Sequence, residues 1–239
     1  LGADRKPDAK GEFCCVRYFE TDDEGSPFQF PTQNERRNSV PTGEFARIPG
    51  SPVAYWATEA QRDAFRKFPT LGSWCPVKQG LATANNDRFL RSWHEVSCKK
   101  MGLSYRNVTE TMDGKHKWFP YNKGGEYRRW YGNAENLVNW ERDGWEIRNF
   151  ADNTGAIRSR AQNTTYYFRK GVTWTFISSS NFGVRMTPPG YIFDVAGSSA
   201  FPQNASAENL TAFLASKISW GYLKLMNPTL NFQVGNIAN

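Results

Sequence analysis

The sequence predicts a β-rich body bracketed by helical segments, and three observations carry that expectation. From Gly72 to Tyr191, short aromatic or apolar runs of strand length alternate with turn residues. Residues 52–67 and 206–225 instead repeat their apolar side chains at helical spacing. A chain of 239 residues with 39% hydrophobic side chains can bury a sizeable core, which excludes intrinsic disorder.

In chain order, Glu12 to Glu20 (EFCCVRYFE) reads as one strand. Thr21 to Pro49 carries acids, Pro, Gly, Ser and Asn without periodicity, which suits an exposed loop, and a boundary is expected near Ile48 to Ser51. Pro52 to Lys67 begins with aromatics and continues into one short helix, where Glu59, Gln61, Arg62 and Lys67 alternate with Ala60, Ala64 and Phe65. The β body is expected in the runs Lys115–Tyr121, Tyr127–Tyr131, Leu137–Trp140, Tyr166–Arg169, Val172–Ser178 and Phe182–Thr187. Asn122-Lys123-Gly124-Gly125, between the first two, looks like a hairpin turn because paired glycines supply positive φ angles. Ser206 to Leu225 is the clearest helix: Leu210, Phe213, Leu214, Ile218, Tyr222 and Leu225 share a face, Ser206 is placed to cap it, and Asn227-Pro228 stops it.

Composition narrows the function. No apolar run approaches the roughly 18 to 20 residues of a membrane span, and the mean hydropathy is −0.66, so no membrane partner is expected. Cys14, Cys15, Cys75 and Cys98 form no C-x-x-C pair, and His94 with Cys98 supplies too few ligands for structural zinc. Reduced cysteines and a cytoplasmic location are expected. The two histidines, His94 and His116, lie in no nucleophile setting, and neither a G-x-x-x-x-G-K nor a G-x-G-x-x-G loop is present. No catalytic, cofactor or metal residue is assigned within the chain.

The formal net charge of +7 is unevenly spread. Residues 84–131 hold ten basic and five acidic side chains and residues 132–190 seven and five, whereas both ends are balanced. An excess confined to the middle of the chain suits a surface facing a polyanion, because neutralised phosphates release counterions. Lys115 to Gly132 (KHKWFPYNKGGEYRRWYG) interleaves Lys115, Lys117, Lys123, Arg128 and Arg129 with Trp118, Phe119, Tyr121, Tyr127, Trp130 and Tyr131. One hairpin could present cations on one face and rings on the other; equally, the rings could be core and the cations solvated. Two further polar loops are Asn85-Asn86-Asp87-Arg88 with Arg91, and Ser178-Ser179-Ser180-Asn181 before Arg185. Loops of this kind mounted on a sheet suit sequence readout better than catalysis. A different class stays open, a secreted aromatic-rich carbohydrate-binding module, since Asn107, Asn163, Asn204 and Asn209 each head an N-x-S/T triplet.

Longer stretches carry a resemblance. Ile48 to Trp56 (IPGSPVAYW), Gln79 to Arg91 (QGLATANNDRFLR), Lys117 to Arg128 (KWFPYNKGGEYR), Asn181 to Arg185, Phe193 to Ser198 and Asn227 to Gly235 resemble, in order, the C-terminal half of the PglX family, the adenine-specific DNA methyltransferases of bacterial BREX phage defence. The resemblance implies an α+β fold: a twisted, irregular β-rich target recognition domain with peripheral helices and a C-terminal helix from a truncated α-hairpin. It implies residues 1–50 as the tail of a catalytic domain and linker, 51–203 as the recognition domain, and 204–239 as the start of a helical spacer. Double-stranded DNA is the implied partner, with the catalytic half of the same polypeptide and other BREX proteins beside it; the alternative to DNA reading within this resemblance is a protein-interaction segment of a defence complex. S-adenosylmethionine would belong to the parent enzyme, since neither a glycine-bearing cofactor loop nor an Asn-Pro-Pro-Tyr motif occurs here; Asn227-Pro228-Thr229-Leu230 reads as a helix stop. Arg88, Arg91, Lys115, Lys117, Lys123, Arg128 and Arg129 are the expected phosphate or groove contacts. Asn85, Asn86, Asn122, Ser180, Asn181 and Arg185, with Tyr121 beside them, are the expected readers. Where Ala84 stands the family pattern leads one to expect Gly, and the turn there is expected to differ slightly.

Overall fold

Strands form here only where a partner strand completes their backbone hydrogen bonds, and much of the chain runs between them as turns and 3-10 segments. A computed structural model describes residues 9–31, 34–177, 181–227 and 229–239. Two compact units result, Leu1–Pro69 and Thr70–Asn239.

In the first unit, β1 (Lys10–Cys14) pairs antiparallel with β2 (Arg37–Pro41), from Lys10 opposite Pro41 to Cys14 opposite Arg37. The expected strand over Glu12–Glu20 is therefore shorter, and Tyr18–Glu20 is a 3-10 turn with Tyr18 and Phe19 exposed. The stretch expected as loop holds β2 and a 3-10 segment, Thr42–Arg47. Lack of periodicity hid them because few of their side chains are buried: Val40, Phe45 and Ile48 suffice, with Phe13 stacked on Tyr55 at 5.3–5.4 Å from both Tyr55 and Phe45 ring centroids. Helix α1 (Glu59–Lys67) forms as expected, and Thr58 and Gln61 cap it reciprocally. The packing break falls after Pro69, beyond the composition change near Ile48 to Ser51.

The second unit contains, in order, β3 (Val77–Lys78), α2 (Asn86–Phe89), β4 (Leu90–Ser92), β5 (Trp118–Asn122), β6 (Asn136–Asn139), α3 (Glu141–Arg148), β7 (Gly171–Trp174), β8 (Val184–Thr187), β9 (Ile192–Phe193), β10 (Ser199–Ala200), α4 (Ala207–Leu214), α5 (Lys217–Met226) and α6 (Val234–Ala238). The fold is α+β. One sheet runs β3-β10-β7-β8 and the other β4-β6-β5-β9; all pairs are antiparallel except β5 with β9. Each sheet has its own core. Val172, Trp174, Val184 and Ala200 pack against Leu210, Leu214, Leu223, Phe232 and Ile237 of the C-terminal segments. Phe119, Tyr121, Val138 and Phe193 pack with Leu81, Phe89, Trp140, Tyr167 and Phe168. Burying rings of this size supplies about 1.5–3 kcal/mol each.

Four expected elements change. The expected strands at Tyr127–Tyr131 and Tyr166–Arg169 do not form: the first is a loop that meets β8 only at the Trp130 bridge, and the second is a 3-10 turn, Thr164–Tyr166, continued by turn residues, since neither run finds a strand partner to complete its hydrogen bonds. The hairpin at Asn122–Gly125 does not form, because β5 takes β6 and β9 as partners and Trp130 bridges Arg185 of β8 in the other sheet. Gly124 still needs its freedom: φ is 82°, and a Cβ there would lie 2.5 Å from the Ala196 carbonyl oxygen. The helix over Ser206–Leu225 is two helices. Ser206 caps α4 through the Asn209 N–H as expected, but Ser216 turns extended and caps a second start through the Ser219 N–H. The break resets the phase, so Leu210, Leu214, Leu223 and Leu225 are buried while Phe213 and Ile218 are exposed.

Candidate nucleic-acid interface

The parallel bridge between Leu81 and Asp194 brings the Asn85 loop to the end of β5. There the Asp194 carboxylate, whose side chain is 5% exposed, accepts from the Tyr121 hydroxyl at 2.5 Å, the Lys123 ammonium at 2.7 Å and the Ala196 N–H at 2.7 Å. Burial, then the Asp194 charge, pushes the Tyr121 phenol well above its ordinary range, so it stays a donor. Tyr121 is fully buried and Asn122 nearly so; the Asn122 amide donates to the Gly197 carbonyl at 3.0 Å and accepts from the Gly124 N–H at 3.3 Å. Both expected contacts are thus internal braces. Asn85 is also committed, since its side chain caps α2 at the Arg88 N–H. Asn86 is exposed, and its amide oxygen accepts from Thr83 at 2.6 Å and from Lys123 at 3.5 Å. Ala84 has φ 61°, a left-handed conformation that glycine adopts without strain.

Most of the cations have acid neighbours. Arg88 at 2.8 Å and Lys117 at 3.7 Å share Glu146, which also accepts from Asn139 at 2.7 Å. Burial pushes the Glu146 carboxyl up, and the hydrogen bonds of Arg88 and Asn139 with the charge of Lys117 more than reverse it, leaving it below its ordinary value. Arg91 donates to the Asp87 and Leu90 carbonyls and lies over the Trp118 ring at 5.4 Å. Lys115 pairs with Asp113 at 3.5 Å beside an open hollow of about 350 Å³ that Ser104, Tyr105, Glu110 and His116 also line. Beside this cluster Arg142, Asp143 and Gly144 form a left-handed turn.

Arg185 is 1% exposed. Its guanidinium donates to the Thr175 hydroxyl at 3.2 Å and the Trp174 carbonyl at 3.5 Å, its Nε has no partner among the described residues, and burial lowers its pKa to about 10 against the pull of Glu135. Arg185 props β8 from inside and offers no donor to solvent. Asn181 is exposed on the neighbouring loop; Ser180 lies outside the described residues.

Arg128 and Arg129 differ from the other cations. Both are exposed, and neither has an ion-pair partner among the described residues. Trp130 and Tyr131, which the sequence reading counted only as rings of a hairpin, follow them and are 54% and 68% exposed. The anchoring acids Glu146 and Asp194 were also missed; nothing local in sequence marks them, because Arg88 lies 58 residues from Glu146 and Lys123 lies 71 residues from Asp194. A pit of about 20 Å³ beside Tyr131 and Tyr191 admits one water molecule and no base.

Over 198 residues the chain is 38% identical to the adenine-specific methyltransferase PglX of Lacticaseibacillus casei (strain Zhang), and over 198 residues 40% identical to the adenine-specific methyltransferase BrxX of Escherichia coli O9:H4 (strain HS). It is homologous to one segment of the PglX and BrxX adenine-specific methyltransferases. The match covers 82% and 81% of the chain but 16% and 15% of those two proteins, so the chain spans about one-sixth of the length of the PglX and BrxX relatives. No family model matches the chain. Among the described residues no helix is long and apolar enough to cross a membrane, and no cluster of three metal-ligating side chains occurs.

Proposed function

We infer that this PglX/BrxX-type segment binds duplex DNA and selects the methylation site for an adenine methyltransferase of the BREX type. Residues 51–203 would be the recognition domain, 1–50 the tail of the catalytic part, and 204–239 the start of a helical spacer. S-adenosylmethionine and the extruded adenine would be handled elsewhere in the parent polypeptide, since base-modifying enzymes need a pocket for a flipped base and the hollow edged by Glu110, Asp113 and Lys115 is open.

The observation that carries this reading is the pair Arg128 and Arg129, exposed and without ion-pair partners among the described residues, in a segment homologous to adenine methyltransferases. Counting Arg91, and the one net charge that Arg88 and Lys117 keep over their shared Glu146, about four cationic charges would be available to phosphate. Asn86, Asn181 and the exposed arginines are the groups left to read base edges, because Tyr121, Asn122 and Arg185 are enclosed. The test is the salt dependence of duplex binding. A log–log slope of about −3 to −4 is expected from four released counterions; a slope near zero refutes the reading.

A further inference from the structure

The loop after β5 holds one large ring in a conformation that a tryptophan rarely adopts. The Tyr131 N–H donates to the Arg129 carbonyl at 2.8 Å, and Trp130 between them has φ 69°. This is the positive-φ γ-turn, rare and strained for any residue with a Cβ. The strain is held from outside the turn. The Trp130 N–H donates to the Val184 carbonyl at 2.9 Å and its carbonyl accepts from the Met186 N–H at 3.1 Å, so the edge of β8 clamps the apex. Asn133 closes the base of the loop by donating to the Glu126 carbonyl at 2.9 Å. Gly183 lets the loop lie close, since a Cβ there would stand 2.8 Å from the Arg128 carbonyl oxygen.

All this holding does not put the ring in the core. Trp130 remains 54% exposed and Tyr131 68% exposed. Strain kept around a side chain that the core does not use points to a role outside the chain. The neighbours indicate what it meets: Arg128 and Arg129 precede it, exposed and free of acid partners among the described residues, with Arg129 over the Tyr127 ring at 5.8 Å. Two cations beside a projecting indole match a base step with phosphates on its flanks.

We propose that Trp130 is a wedge that enters the base stack of duplex DNA while Arg128 and Arg129 hold the adjoining phosphates. The inference rests on the DNA-binding reading above and adds where the duplex is opened. Because the free protein already presents the ring, insertion costs little rotamer freedom.

Binding of the 239-residue chain to a fully paired duplex is compared with binding to the same duplex carrying one unpaired base, whose stack is already open. The chain should prefer the opened duplex by about tenfold or more, because the unstacking cost is spared. Trp130→Asn and Trp130→Gly, both residues that accept positive φ, should keep or raise the Tm and bind the two duplexes alike. Their affinity for the opened duplex should fall by about 5- to 150-fold. Arg128→Ala with Arg129→Ala should weaken binding to both duplexes by the same factor and leave the preference. A preference that survives in the Trp130 variants, or that the unaltered chain never shows, overturns the wedge while DNA binding stands. Absence of salt-dependent binding to either duplex overturns both readings.

Discussion

Lys123→Met is the substitution whose effect the structure fixes most closely. Breaking a buried ion pair by deleting one partner costs about 3–5 kcal/mol when the remaining charge is fully enclosed. Here the Asp194 side chain is 5% exposed but that of Lys123 is 31% exposed, and Asp194 keeps the Tyr121 hydroxyl and the Ala196 N–H. Solvent screening and those two donors reduce the expected loss to about 1–3 kcal/mol. In a chain of this size that lowers the Tm by about 3–10 °C. Asp194→Asn should cost a similar amount, because the amide now faces an ammonium with one acceptor fewer. The double variant should cost about 1–2 kcal/mol less than the two losses together, since each substitution removes the reason for the other's penalty. Thermal unfolding of the four proteins at neutral pH and one salt concentration reads this directly. Losses that add within about 0.5 kcal/mol would refute the coupling. Because the charge of Lys123 is absorbed by Asp194, Lys123→Met should also leave the salt slope of DNA binding unchanged.

Other consequences are smaller or more local. Ala84→Gly relieves a left-handed alanine at φ 61° and should raise stability by about 0.5–1 kcal/mol net of the entropy glycine adds to the unfolded chain, seen as a higher Tm. Asn122→Ala removes a buried amide whose two ends bond the Gly197 carbonyl and the Gly124 N–H, and should cost about 1–3 kcal/mol without altering DNA site preference. Arg128→Ala with Arg129→Ala should make the salt slope shallower by about 1.8 while the Tm hardly moves. Glu146 sits below its ordinary 4.5 for the reasons given above, and Asp152 is held at about 2 by hydrogen bonds from Thr154 and Arg158. For carboxyls lowered by folding, the stabilisation is complete above the unfolded values and is lost as protons bind. The Tm should therefore be flat near neutrality and fall from about pH 4.5 toward pH 2, and Glu146→Gln should flatten the upper part of that fall.

How legible the interface was in sequence depended on separation along the chain. The tract Lys115–Gly132 stood out because its cations and rings are neighbours, and the exposed pair Arg128 and Arg129 lies inside it. What each cation faces was hidden, because the carboxylates of Glu146 and Asp194 come from distant segments. The same holds for Asn122 and Arg185: polar residues in turn-like or alternating contexts read as surface, yet the sheets enclose them.

Local order was decided by local sequence. Thr58, Asn85, Ser206 and Ser216 start helices by satisfying free N–H groups within three residues, and short apolar or aromatic runs form β5, β6, β7 and β8 where partners exist. Strand partners, the break between α4 and α5, and the sorting of polar residues into braces and contacts belonged to the tertiary structure. A hydrogen bond or an ion pair is a property of two positions, and its free energy depends on how far water is excluded from both. Only packing, which brings Asp194 to Lys123 and the edge of β8 to Trp130, fixes that quantity.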